Sequence, residues 1–142
     1  MWQRFWPSRR RAAGAAHLRA GAWGEAQAER FLRQAGYRIL GRRVRLGRDE
    51  LDLVARREET LVFVEVKTRA SEEFGRPLDA VKPAKRHSLS RAAIRYLKRL
   101  RARPSFFRFD VIEVIGTVAA GAPRIPFRLQ CGEGGASIGR ID

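Results

Sequence analysis

DELDLVARREETLVFVEVKTR occupies residues 49–69. Two largely apolar segments, Leu51–Ala55, interrupted only by Asp52, and Leu61–Val64, flank a charged break, which reads as two strands joined by a tight turn at Glu58-Glu59. An even-length turn there sets Asp52 opposite Glu65 and Glu50 opposite Lys67. The two-residue period of a strand puts these four on one face, with Leu51, Leu53, Val62, Val64 and Val66 on the other. Directly opposed residues have Cβ atoms roughly 5 Å apart, where two carboxylates repel unless something positive lies between them. A divalent cation answers that need. Hard oxygen ligands suit Mg²⁺ or Mn²⁺, and Mg²⁺ commonly takes only one or two carboxylates, leaving other positions to water and substrate phosphate. Lys67 has a use in the same place: orienting the attacking water, or stabilising negative charge in a phosphoryl-transfer transition state. The alternative is a Glu50–Lys67 ion pair with Asp52 and Glu65 at a solvated edge. Both faces of these strands are apolar, as in strands covered on two sides, and charges there need a reason.

Outward from the hairpin, GAWGEAQAERFLRQAG (Gly21–Gly36) sets Trp23, Ala26, Phe31 and Ala35 near one face and ends on glycine, the pattern of a helix and its stop. YRILGRRVRL (Tyr37–Leu46) predicts a strand bent or bulged near Gly41. Downstream, Leu89, Ala92, Ala93, Tyr96, Leu97 and Leu100 recur at helical spacing and form an apolar stripe. FFRFDVIEVI (Phe106–Ile115) predicts a strong strand, with Arg108 and Asp110 on one face and able to pair. A further strand is expected near Ile125–Leu129. The order αβββαβ makes this an α/β domain: a mixed central sheet flanked by helices. Residues 21–116 form that domain, between a basic, flexible N-terminal segment of residues 1–20 and a Gly-rich C-terminal segment of residues 117–142.

Thirty Lys and Arg stand against fifteen Asp and Glu in 142 residues, a formal charge of +15. That imbalance points to a nucleic-acid partner. It is concentrated in residues 82–103, which hold nine Lys or Arg and no acid. Around the apolar stripe of the second helix, Lys82, Lys85, Arg86, Arg91, Arg95 and Lys98, together with Arg69 from the hairpin, are the candidate phosphate contacts. No stretch approaches the roughly 20 apolar residues that span a bilayer. The SRRR at residues 8–11 lacks the apolar core of an export signal. The single cysteine, Cys131, excludes an internal disulfide framework. A cytoplasmic protein with no membrane partner is expected.

An acid on one strand followed by E-x-K on the next resembles the PD-(D/E)XK nuclease motif, with Asp52 and EVK at Glu65–Lys67 as its halves. More widely, GAWGEAQAERFLRQAGYRIL, DELDLVAR, LVFVEVKTR, FGRPLDAV, Lys85 and RFDVI at Arg108–Ile112 resemble, in order, the YraN-type bacterial protein family over about Gly21–Ile115. The resemblance implies a restriction-endonuclease-like fold similar to Holliday-junction resolvases, and a metal-dependent nuclease acting on structured or branched DNA, with a homodimer as the expected assembly. It also implies roles. Glu25 of the first helix, Asp52 and Glu65 would be metal ligands, Lys67 the catalytic lysine, and Glu50 the acid of the family's G-E-I-D-L segment. Asp49 stands where that segment has glycine, adding charge beside the metal site, and Arg43 or a neighbour stands where an asparagine is usual. The other reading is a non-catalytic nucleic-acid binder that retains the nuclease fold.

Overall fold

A computed structural model describes residues 9–71 and 82–131. Helix α1 (Arg9–Gln34) leads into β1 (Arg38–Leu46), β2 (Asp49–Arg57) and β3 (Thr60–Arg69); α2 (Pro83–Arg99), β4 (Phe106–Ile115) and β5 (Arg124–Cys131) follow. The sheet runs β1-β2-β3-β4-β5, antiparallel except for the parallel β3–β4 pair, across which α2 is the crossover. This mixed sheet between two helices is compatible with a restriction-endonuclease-like core. The expected last strand is present as β5. The FGRPLDAV segment, residues 74–81, and the segments 1–8 and 132–142 lie outside the described residues.

Helix α1 starts at Arg9 rather than Gly21. The added turns are rich in Arg and Ala, strong helix formers, and residues 14–20 are exposed. Its end follows the expected glycine stop. Gly36, at φ 84°, closes a Schellman cap in which its N–H donates to Arg33 O and that of Tyr37 to Leu32 O, at 3.0 and 2.9 Å.

Two apolar layers hold the sheet. Ala28 and Leu32 of α1 pack with Leu53, Ala55, Val62, Val64, Ile112 and Val114. On the other face Leu89, Ala92 and Ala93 of α2 pack with Leu46, Leu51, Val54, Leu61 and Phe63. Phe63 meets Tyr96 edge to face with centroids 5.7 Å apart. The helical stripe read from the sequence is thus the buried face of α2.

Leu51 corrects the expected alternation. Expected on the face of Leu53, it packs in the opposite layer, with Val54. A strand cannot put residues 51 and 53 on opposite faces without a break in its pleat, and the break falls at Asp52.

Candidate active site

The β2–β3 register is the one expected, with a two-residue turn at Glu58-Glu59 and pairs running from Arg57–Thr60 to Leu53–Val64. The ladder ends there, one step before Asp52 and Glu65, and does not reach the expected Glu50–Lys67 pair. On the other side of β2 the register passes from Arg42–Leu53 to Val44–Leu51, with Arg43 at φ 45° beside the gap. Asp52 therefore sits where β2 is loose from both neighbours. Its carboxylate takes the place of a backbone acceptor: the Val66 N–H donates to Asp52 Oδ2 at 2.8 Å.

Glu65 lies beside Asp52 and is only 4% exposed. Two ammonium groups close on it, Lys67 Nζ at 3.0 Å from Oε1 and Lys85 Nζ at 3.3 Å from Oε2. The Lys85 contact is an ion pair without hydrogen-bond geometry, so Glu65 Oε2 is buried with no hydrogen bond. Burial pushes the Asp52 carboxyl up to about 7, helped by the neighbouring Glu65 charge and opposed by the Val66 N–H. Two acids and two lysines thus meet at the loosened end of a hairpin, the two lysines from different elements. Lys85, expected as a phosphate contact, is placed at Glu65 by the docking of α2, which no local pattern reports.

The remaining expected residues divide. Glu50 does not meet Lys67; it pairs with Arg45 across the β1–β2 ladder at 3.3 Å. Glu25 is engaged by Arg43, whose Nε donates to its Oε2 at 2.7 Å. The structure does not gather Glu25, Asp52 and Glu65 into one group, and among the described residues no three Asp, Glu, His or Cys side chains form a ready metal cage. The reason is placement. Glu25 borders a cleft on the α1 side of the sheet, whereas Glu65 meets Lys85 of α2.

What brings α1 so close is Gly24. A Cβ there would fall 1.8 Å from Thr68 Oγ1 and within 3.0 Å of its other side-chain atoms, so turning the threonine does not clear it. Only glycine lets the helix lie on β3 beside Lys67.

The expected phosphate contacts also divide. Arg91 donates to both oxygens of Asp49, at 3.2 and 2.9 Å, and Ser88 Oγ donates to Oδ1 at 2.8 Å. Arg95 reaches the Leu46 carbonyl at 2.8 Å and passes over Gly47, where a Cβ would meet its guanidinium at 2.3 Å. Asp49 is 4% exposed, and these donors, Arg91 foremost and then Ser88, lower its pKa to about 2. Expected to add charge beside a metal site, Asp49 is instead the anchor of α2 on the β1–β2 turn. Arg69 is held by the buried Glu113 at 3.0 Å. Lys82, Arg86 and Lys98 are exposed and form no ion pair among the described residues. Arg108 pairs with Asp110 at 3.0 Å, as the sequence allowed, and also donates to the Tyr37 hydroxyl at 2.6 Å. Among the described residues no helix is long and apolar enough to cross a membrane.

Residues 24–114 match the uncharacterised protein family UPF0102. A UPF0102 protein of Symbiobacterium thermophilum is 49% identical over 96 residues, 68% of this chain and 81% of its own length. Another, from Syntrophomonas wolfei, is 47% identical over 98 residues, 67% of this chain and 83% of its own length. A third, from Beutenbergia cavernae, is 48% identical over 105 residues, 74% of this chain and 88% of its own length. The matched span opens at Gly24 and takes in Glu25, Asp52, Glu65, Lys67 and Lys85. The chain belongs to the UPF0102 family, and the resemblance to YraN-type proteins holds.

Proposed function

We propose that this UPF0102 member is a metal-dependent endonuclease that hydrolyses phosphodiester bonds in nucleic acid, with structured or branched DNA as its substrate. The observation that carries the reading is the buried Asp52–Glu65 pair at the parted end of β2 and β3, where one Glu65 oxygen has no hydrogen bond. The Lys85 ammonium lies 3.3 Å from that oxygen without hydrogen-bond geometry, which leaves the oxygen free to accept a ligand. Two carboxylates with oxygen donors only are a donor set that suits Mg²⁺ or Mn²⁺. Asp52 and Glu65 would hold the ion, which supplies positive charge to the phosphate oxygens of the scissile group when bound.

The chain's own groups do the rest. Lys67, 30% exposed at its side chain, is placed between the acids and solvent and can position the attacking water and stabilise charge on the phosphate. Lys85 holds Glu65 in place from the α2 side. Glu50, held by Arg45, supports the β1–β2 end of the site from outside it. Lys82, Arg86 and Lys98 supply sequence-independent attraction for the backbone. Symmetric cutting of a branched substrate calls for two copies of the chain, hence a homodimer, at work on DNA in the cytoplasm.

The second reading, a binder that keeps the fold without turnover, has one observation in its favour: Lys67 and Lys85 already balance Glu65. Incubation with four-way, flap, single-stranded and duplex DNA, and with RNA, with and without Mn²⁺, separates the two. Cation-dependent cleavage of a branched substrate is expected. Tight binding of every substrate with no cleavage under any cation would leave the binder.

A further inference from the structure

Beside the Glu58-Glu59 turn, at the end of the sheet away from Asp52 and Glu65, Arg57, Thr60 and Phe106 stand side by side on β2, β3 and β4. The two-residue period of the strands puts them, with Arg108, on the face that carries Ala55, Val62 and Ile112. Helix α1 ends at Gln34 and does not cover Phe106, which is 64% exposed. The ring contacts of the sheet run through Phe63, Tyr96, Phe107 and Phe109 on the other face, and among the described residues Phe106 shares in none of them. A single exposed phenylalanine is ordinary. One set among arginines is the combination of ring and positive charge that holds unpaired nucleic acid.

Tyr37 gathers the charge. The guanidinium of Arg57 lies over its ring at 5.5 Å from the centroid and that of Arg108 at 5.7 Å, so two cations that repel each other are held on one aromatic side chain. Arg57 also donates to the Ala35 carbonyl at 3.3 Å. Asp110 balances Arg108 at 3.0 Å, whereas Arg57 is exposed and forms no ion pair among the described residues. At the same end Arg38 and Arg56 stand directly opposite on the β1–β2 ladder, where like charges destabilise. Glu59 answers Arg56 at 3.8 Å; Arg38 is exposed, with no ion pair among the described residues. This end of the sheet therefore has positive charge in excess of what its own acids take up, next to an uncovered ring.

We propose that Phe106 and Arg57 form a platform for an unpaired nucleotide: its base stacks on the Phe106 ring, and its phosphate meets the Arg57 guanidinium that Tyr37 holds in place. The two residues are two strand spacings apart, about 10 Å between backbones, a span that an arginine side chain and one nucleotide bridge together. The base must be unpaired, because in a duplex both of its faces are already stacked. Stacking on a ring accepts any base, so the platform selects single-stranded segments without reading their sequence. It needs no cation and lies away from Asp52 and Glu65, so it serves a nuclease and a non-catalytic binder alike.

The test is a titration of the full chain, free of divalent cations so that no strand is cut, into a single-stranded oligonucleotide carrying 2-aminopurine, a base whose fluorescence is quenched by stacking. The wild type should quench it. Phe106→Ala should lose the quench and bind the single strand about tenfold more weakly, the scale of one stacked base, while binding a duplex of the same length as the wild type does. Phe106→Trp should keep both quench and affinity, and Phe106→Leu, which is apolar but has no ring, should behave as the alanine variant. Arg57→Gln should lower the salt slope of single-strand binding by roughly one. Unchanged single-strand binding by Phe106→Ala, an equal loss on the duplex, or wild-type binding by Phe106→Leu overturns the platform. Should the alanine variant not fold, the other two decide: the platform stands if the tryptophan variant binds about tenfold more tightly than the leucine variant and falls if they bind alike. A wild type that cleaves branched DNA but shows no quench keeps the nuclease reading and loses the platform; quench without cleavage under any cation does the reverse.

Discussion

Asp49 and Asp52 stand on one strand, three residues apart, in opposite electrostatic surroundings. Asp49 receives hydrogen bonds from Ser88 and Arg91 and is pulled down to about 2; Asp52 has a single backbone donor, lies against Glu65, and is pushed up to about 7. The first carboxylate has every partner it needs inside the protein. The second does not. When neighbouring acids are driven apart by their environments, they have different tasks. Asp49 fastens α2 to the hairpin, and Asp52 stays buried against a second acid.

The two aspartates should differ most in catalysis. Asp52→Asn and Lys67→Ala should each lower cleavage of a branched substrate by about 10³-fold or more, the scale of losing a charge-stabilising group. Asp49→Ala should leave cleavage per folded molecule within several-fold of wild type. A comparable loss in both aspartate variants, at matched folded fraction, would erase the distinction.

Stability should reverse the ranking. Asp49→Ala strands Arg91 and frees the β1–β2 turn, so its melting temperature should fall by roughly 5–10 °C. Asp52→Asn removes a charge from beside Glu65 and should melt no lower than the metal-free wild type. The pH arms differ in sign. Asp49 has a depressed folded pKa, so its contribution is complete above about pH 4 and lost as pH falls toward about 2. Asp52 has a raised one, so the unfolded chain gives up its proton first; metal-free stability declines as pH rises from about 4 to about 7 and then levels off. Thermal melts of the Asp52→Asn variant across that range should show the decline reduced.

The smallest effect lies on α2, between cations engaged by Asp49 and cations left to solvent. Removing Lys82, Arg86 or Lys98 should lower the salt slope of DNA binding by roughly one for each phosphate no longer neutralised, with the fold intact. Removing Arg91 should act mainly on melting temperature. An unchanged slope in the first set would move the nucleic-acid interface elsewhere.

Much of this was legible in the sequence. The hairpin register, the turn at Glu58-Glu59, the bulge near Gly41, the glycine stop at Gly36 and the buried stripe of α2 all follow from local periodicity and turn chemistry, which act over a few residues. The adjacency of Asp52, Glu65 and Lys67 followed from that register. What local pattern could not supply was the interruption at Asp52, because an alternation rule assumes an unbroken pleat, and Leu51 changes face there. Nor could it supply partners brought together by docking: Lys85 at Glu65, Arg43 at Glu25, Arg91 at Asp49. One signal was present. Ser88, Arg91 and Arg95 share a side of α2, and a buried acid in the hairpin was the partner that side required.

The proposed chemistry turns on whether Asp52 and Glu65 form a site for a divalent cation. The decisive measurement is the melting of the metal-free wild type and of Asp52→Asn at pH 8, with and without millimolar Mn²⁺, because an ion that binds the folded state raises its melting temperature by mass action. A rise of several degrees is expected in the wild type and none in Asp52→Asn, whose cation-free melt should be at least as high. Equal shifts in the two proteins, or no shift in either, would mean that the pair holds no cation.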